Sequence, residues 1–246
     1  MNSLKETCEL LSQFKLVGMS KKLSDIATVA NQEKHSYLAF LNNLLKQEVD
    51  YRNERRLGRS LIGSHIPIFK ELKDFDFSLV DGISRQDCNN LIDCQWIDRN
   101  ENILFFGPPG VGKTHLSIAL GMEAMRSGYT VCFERITSLI NLLKTTEIQR
   151  SSRFRINRIL KSSVLIIDEI GYTPISKREA NLLFTLISEM YEKKSIILTS
   201  NKGVDQWAEM MGDEVMISAM VDRLLHHVHI FSLKGDSYRI SKGKEL

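Results

Sequence analysis

No stretch of this 246-residue chain approaches the roughly 18 consecutive apolar residues that a bilayer-spanning helix requires. The opening residues, Met1-Asn2-Ser3-Leu4-Lys5-Glu6, lack the apolar core of a secretory signal. These two absences lead to the expectation of a cytoplasmic protein. Cysteine is sparse: Cys8, Cys88, Cys94 and Cys132 are scattered without metal-ligand spacing, so reduced, partly buried thiols are the economical reading. There is no internal repeat and no low-complexity tract. The net charge of +3 is too small to identify a nucleic-acid partner by itself, so its distribution along the chain has to be read. With 43% hydrophobic and 26% charged residues, the composition is that of an ordinary globular protein. The length allows one large domain, or an α/β domain with a smaller module.

Residues 1 to 60 carry no strand signal. Leu4, Leu10, Leu11, Phe14, Leu16 and Met19, then Tyr37, Phe40, Leu41, Leu44, Leu45 and Val49, recur at helical spacing, with Ser36 placed as an N-cap. This predicts a small all-α N-terminal module. A hinge-like stretch from Gly58 to Pro67 follows, which sets a linker over residues 61–74 and a second domain over 75–246. In that domain a helix is expected around Arg85 to Ile97. Short apolar strands then alternate with amphipathic helices: Ile103–Phe106, Thr130–Glu134, Val164–Ile167, Ser195–Thr199 and Val228–Leu233. Such alternation predicts a parallel five-stranded sheet with helices on both faces.

Between the first strand and its helix stands Gly107-Pro108-Pro109-Gly110-Val111-Gly112-Lys113-Thr114, a complete G-x-x-x-x-G-K-[ST] phosphate loop. Glycines let backbone N–H groups close around phosphates at a helix N-terminus, where the dipole favours anions. Residues Gly107 to His115 are therefore the expected ATP-binding segment. Lys113 is placed to reach the β- and γ-phosphates, and Thr114 to offer a hydroxyl to Mg²⁺.

The apolar run Val164-Leu165-Ile166-Ile167 ends in Asp168-Glu169. Strand termini in such sheets face the phosphate loop, so Asp168 is expected to hold the Mg²⁺ hydration shell and Glu169 to polarise an attacking water. A carboxylate beside the metal ligand favours hydrolysis over transfer to a small acceptor. A second apolar strand, Ile196-Ile197-Leu198, ends in Thr199-Ser200-Asn201. Asn201 either touches the γ-phosphate and the water or opens the turn before Lys202-Gly203. Arg223, in Asp222-Arg223-Leu224, is a candidate arginine finger or a partner of Asp222.

Residues 150 to 161 carry Arg150, Arg153, Arg155, Arg158 and Lys161 and no acid. On a helical wheel the five bases share a broad arc, with Ile156, Ile159 and Leu160 opposite and Phe154 as the exception. A stability-driven surface mixes both signs, so this face is expected to meet DNA phosphates without reading sequence. A second cluster, Arg52, Arg55, Arg56 and Arg59, is diluted by Glu48, Asp50 and Glu54 and suits a partner or an inter-domain contact equally. His226, His227 and His229 invite a metal reading, but no fourth ligand has suitable spacing. Phe75 and Phe77 sit ahead of the first strand, near the adenine or in the core.

Taken together, these segments resemble the AAA+ ATPases of the IstB/DnaC group, and more narrowly the IstB-like helper proteins of insertion sequences. Leu16-Val17-Gly18-Met19, Arg52 to Arg59, Asp74-Phe75-Asp76-Phe77, Ile166 to Pro174, Thr199-Ser200-Asn201 with Trp207, Asp222 to His226 and Ser237-Tyr238-Arg239 carry the resemblance outside the loop itself. It implies that Asn201 is a sensor residue and that Arg223 acts on a neighbouring subunit's site. It also implies ATP-dependent homo-oligomers on double-stranded DNA that recruit or stimulate a transposase; a replicative helicase loader of the DnaC type is the alternative. The family departure is an expected lack of the C-terminal helical lid, with Arg239 at best a partial substitute for the lid's arginine.

Overall fold

The computed structural model describes residues 2–172, 174–207 and 214–238, and the chain divides into two compact units, Met1–Arg59 and Ser60–Leu246. The first unit is helical. Helix α1 spans Asn2–Gln13, α2 spans Val17–Gln32, and α3 begins at Tyr37, where the Ser36 hydroxyl accepts the Ala39 amide as an N-cap. Its small core joins Met19, Leu23 and Leu44, with Cys8, Leu11, Leu16, Ile26 and Phe40 packed around them. Gly18 explains the Leu-Val-Gly-Met segment: a Cβ there would come within 2.7 Å of the Gln47 carbonyl oxygen, so α2 and α3 cross at a distance only glycine permits.

At that crossing Glu48 accepts the Met19 amide at 3.1 Å and the Arg52 Nε at 2.7 Å. Burial alone pushes its carboxyl upward, but the bonds from Arg52, Met19 and Gly18 hold it below the ordinary range. An anion at the first turn of α2 also satisfies amides that the helix leaves open. Thus Arg52, read in the sequence as part of a basic cluster diluted by Glu48 among other acids, completes this pairing.

Helix α3 runs Tyr37–Ser64, through Gly58 and Gly63, so the break expected at the hinge-like stretch does not occur there. The reason lies at its last turn, where Gly63 and Ser64 are tied down by Arg155. The Arg155 guanidinium donates to the carbonyls of Gly63 (2.8 Å), Ser64 (3.1 Å) and Phe133 (3.1 Å), and its Nε lies 2.6 Å from Glu134. Arg155 is only 6% exposed. It therefore departs from the expected basic face: four carbonyl and carboxylate acceptors draw it inward, where its charge is paired.

In the second unit the strands are β1 Asn102–Phe106, β2 Val131–Arg135, β3 Val164–Ile170, β4 Ser195–Ser200 and β5 Val228–Ser232. All pairings are parallel, in the order β2-β3-β4-β1-β5. The region expected as one helix from Arg85 is two, α4 Arg85–Ile92 and α5 Gln95–Asp98, separated by Cys94 in left-handed conformation. Next come α6 Lys113–Arg126, α7 Ile136–Thr145, α8 Arg150–Lys161, α9 Lys177–Met190 and α10 Glu214–Leu225. Alternate residues of the strands face opposite layers. Leu165 and Ile167 join the cluster formed with α7, α8, α9 and α10, whereas Ile166 meets α6 at Gly121. Each such fully buried aliphatic side chain contributes roughly 1.5–3 kcal/mol. Asn102 ties the lower end of the sheet, donating to the Leu224 carbonyl and accepting the Ile196 amide.

Candidate active site

The phosphate loop leaves β1 at Gly107 and enters α6 at Lys113. Gly107, Gly110 and Gly112 all have positive φ, of 144°, 90° and 92°. A Cβ on Gly112 would lie 2.5 Å from the Phe75 ring, and one on Gly110 would lie 2.1 Å from the Ser237 hydroxyl, so the loop is held between these side chains. The Tyr238 amide donates to the Gly110 carbonyl at 3.2 Å. The Ser-Tyr pair of the last motif thus backs the loop; Arg239 lies outside the described residues, as does Thr173.

Lys113 extends across the loop and donates from Nζ to the carbonyls of Gly107 (2.6 Å) and Pro108 (2.8 Å). Thr114 Oγ1 donates to Asp168 Oδ1 at 2.8 Å, and Thr199 Oγ1 donates to the same oxygen at 2.6 Å. Asp168 is 1% exposed. The Thr199 hydroxyl also accepts the Glu169 amide at 2.9 Å, so one threonine fixes both consecutive carboxylate residues.

Two neighbours in a regular strand point to opposite faces. Here β3 breaks register between Ile167 and Ile170, and Glu169 has φ +67°. The bulge re-aims the side chain into the opening above the sheet. Glu169 pairs there with Arg135, the last residue of β2, whose Nε lies 3.6 Å from its carboxylate.

Asn201 follows β4 directly. The turn that carries it is latched by Ser200, whose hydroxyl donates to the Lys202 carbonyl (2.7 Å), accepts the Lys202 amide (3.1 Å) and accepts the indole N–H of buried Trp207 (3.3 Å). Among the described residues the Asn201 Oδ1 is buried without a hydrogen-bond partner, a costly state unless something else supplies a donor. Gly171, φ +105°, leaves the space for it: a Cβ there would lie 2.4 Å from that oxygen.

The loop and the Glu169 carboxylate open onto one cavity of about 590 Å³, whose lining includes Gly110 to His115, Glu169, Thr199, Asn201, Arg135, Phe75, Tyr172 and Tyr238. Phe75 is a cavity wall as well as core, meeting Phe77 and His115 edge-on at 4.8 and 5.3 Å. The His115 ring binds the Glu71 carbonyl at 2.9 Å, and burial holds its pKa below the ordinary histidine value. Glycines that a Cβ would crowd, the orphaned amide oxygen, and a hydroxyl beside a buried carboxylate fit a nucleoside triphosphate with a hard divalent cation at Thr114 and Asp168. Thr199, Arg135 and Ser237 escaped individual assignment in the sequence. A hydroxyl at the end of an apolar strand was the available signal for Thr199.

Arg223 is not part of this cavity. It lies near the C-terminal end of α10, donates to the Ala219 carbonyl at 2.8 Å and covers the rings of Phe184 (4.9 Å) and Tyr191 (6.0 Å). It shares a cleft with Asn102 and Ile196, residues at the starts of β1 and β4, whereas the phosphate loop and Asn201 follow the ends of those strands. Beside it, Glu192, His226 and His227 bring ligand atoms within 4.8 Å of one another on an exposed surface, while His229 pairs instead with Glu101 at 2.8 Å.

On α8, Arg150, Arg153, Arg158 and Lys161 are exposed, and Ile156 and Ile159 are buried as the wheel predicts. Arg155 is the correction described above.

The profile of the family described as IstB-like ATP binding protein matches residues 9–245. The chain is similar to an ATP-binding protein named for insertion sequence IS21 of Pseudomonas aeruginosa, 40% identical over 237 residues, covering 96% of this chain and 89% of that one. It is equally similar to one named for insertion sequence IS5376 of Geobacillus stearothermophilus, 40% identical over 232 residues, covering 94% and 92%. Among solved structures it resembles DnaI at 19% identity with a TM-score of 0.58, over 67% of this chain and 91% of that one, a likeness of fold.

Proposed function

This chain belongs to the family of IstB-like ATP binding proteins, and on that footing we propose that it is an ATPase that assembles on double-stranded DNA and recruits or stimulates a transposase. The observation that carries the hydrolytic reading is the meeting of Lys113, Thr114, Glu169 and Asn201 at one cavity, with Asp168 bonded to Thr114 behind its wall and an acceptor on Asn201 that lacks a donor.

In this reading, ATP binding exchanges the Gly107 and Pro108 carbonyls on Lys113 for β- and γ-phosphate oxygens, and the loop amides take up further phosphate oxygens. Thr114 and Asp168 would hold Mg²⁺, which when bound neutralises phosphate charge. Glu169 accepts a proton from a water as the water oxygen bonds to the γ-phosphorus and the bond to the bridging oxygen breaks, giving ADP and phosphate. Asn201 accepts the water's other hydrogen and so fixes its line of attack.

Arg223 lies at the far end of the sheet from its own phosphate loop, which supports a role on a neighbouring subunit's γ-phosphate and hence a homo-oligomer with shared sites. The exposed cations of α8 support a sequence-independent contact with the DNA backbone. The relatives named for insertion sequences favour a transposition helper over a helicase loader of the DnaC type, which the fold likeness alone suggests.

The test is the ATPase rate of wild type and Arg223→Ala, with and without duplex DNA, across protein concentrations. Stimulation by DNA and by concentration, lost in Arg223→Ala, is the expected result. A rate per subunit that is flat with concentration and indifferent to DNA overturns the reading.

A further inference from the structure

Phe154 is 71% exposed in the second turn of a twelve-residue helix whose other face is core. Its neighbours on the outer face at spacings of one, four and seven are Arg150, Arg153, Arg158 and Lys161. No acid lies between residues 150 and 161, and Glu147 is the nearest before the helix. Among the described residues no second ring or cation covers the phenyl face. The arginine wrongly expected on this face, Arg155, is turned into the core, and the phenylalanine expected as the exception stands among the remaining bases. The Arg158 guanidinium passes over Gly63, where a Cβ would collide with it, and with Lys161, Ser60 and Thr130 it borders a cavity of about 110 Å³.

A large apolar ring held in water among four like charges stabilises nothing in the isolated chain. Its occupant has to bring both anions and an apolar slot about one ring thick. A second copy of the same face brings four more cations and repels. A membrane surface offers anions but no slot, and the opposite face of α8, with Ile156 and Ile159, is committed to the core and cannot roll into lipid. Duplex DNA offers both: a row of phosphates, and base steps that open to apolar wedges.

We propose that Phe154 is a wedge that inserts between adjacent base pairs, with Arg150, Arg153, Arg158 and Lys161 on the flanking phosphates. The inference rests on the DNA reading of α8 given above and assigns it a mode of contact. Insertion unstacks one step per engaged subunit and kinks the duplex there, so the bound protein favours flexible pyrimidine–purine steps and mismatches without reading any base.

The experiment uses the full-length protein with ATP and Mg²⁺ and duplexes carrying 2-aminopurine at several steps. Wild type is expected to raise the 2-aminopurine fluorescence on binding. Phe154→Ala is expected to lose that rise and bind about tenfold more weakly, the size of one base–aromatic contact, with an unchanged salt slope. Phe154→Leu, still an apolar wedge, keeps part of the rise. Arg150→Ala does the reverse: the salt slope falls by about one and the fluorescence rise persists. Wild-type binding with no fluorescence rise, or a rise that survives in Phe154→Ala, overturns the wedge while leaving DNA binding intact. Loss of assembly by Phe154→Ala with unstacking unchanged reassigns the ring to a protein contact and also overturns it. If wild type binds no duplex, or binds anionic vesicles in its place, the DNA reading fails and the wedge with it.

Discussion

Arg135 at the end of β2 holds Glu169 at the end of β3 by an ion pair of 3.6 Å, so the carboxylate proposed to activate water is engaged by a cation from the neighbouring strand. Both side chains are about half exposed, which limits the pair to about 0–1 kcal/mol of stability. Its greater effect is on chemistry, because a guanidinium on the carboxylate fixes its direction and competes with a water for its oxygens. Arg135→Ala is expected to raise DNA-free ATP hydrolysis by a few-fold with no change in melting temperature. Steady-state phosphate release beside a thermal melt reads both, and a drop in rate would show that Arg135 aligns Glu169 for attack.

Glu169→Gln retains the backbone N–H bonded to Thr199 and the side-chain volume, and removes only the proton acceptor. Hydrolysis is expected to fall at least 100-fold, in the range of a lost general base, while ATP affinity stays within about twofold. The ATP-bound protein is then expected to persist on DNA. Equilibrium nucleotide binding and the lifetime of the DNA complex separate this outcome from a simple loss of the site.

Arg155 tests a different link, from sequence to stability. Arg155→Ala leaves Glu134 buried without its cation and three carbonyls without their donor, a loss of about 3–5 kcal/mol. Arg153→Ala, on the exposed side of the same helix, is expected to cost under about 0.5 kcal/mol and to change only the salt dependence of DNA binding. Denaturant unfolding of the two variants distinguishes them.

This contrast marks how far the sequence is legible. Strand positions and the phosphate loop follow from local patterns, because a buried parallel strand and a glycine-rich turn each leave a signature within a few residues. Arg155 does not, since its acceptors come from α3 and β2, far away along the chain. The same applies to Arg135 and Thr199, which become site residues only when strand order puts β2, β3 and β4 side by side. The unbroken α3 is a further case: Gly58 opens a locally hinge-like stretch in which Gly63 reads as a breaker, but Arg155 holds the last turn from outside.

His115 gives the pH dependence. Burial, only partly offset by the Glu71 carbonyl, lowers its folded pKa below the unfolded value of about 6.5. The unfolded chain therefore binds a proton that the folded chain resists. The stabilisation is complete above about pH 6.5 and is lost as pH falls from there toward the folded pKa. His65, lowered mainly by burial and by Arg155, acts in the same direction. His115→Gln is expected to flatten, without abolishing, the fall in melting temperature between pH 7.5 and 5.5. A slope identical to wild type would mean that His115 is solvated in the folded protein.

Arg223 remains the strictest test of a shared site. A side chain resting on Phe184 and Tyr191 at the lower end of the sheet cannot complete its own phosphate loop without crossing the domain. On the proposed reading Arg223→Ala and Glu169→Gln are each expected to disable hydrolysis, but in different partners of a head-to-tail contact. In a mixture, an Arg223→Ala subunit retains a whole cavity, and a Glu169→Gln neighbour retains the arginine to complete it. Random assembly at equal amounts makes about one contact in four productive, so the mixture is expected to recover up to about a quarter of the wild-type rate. Neither variant alone recovers any at the same concentration. Activity that stays at the sum of the two variants would place Arg223 outside the neighbour's site, leaving the aromatic contact with α9 as its role.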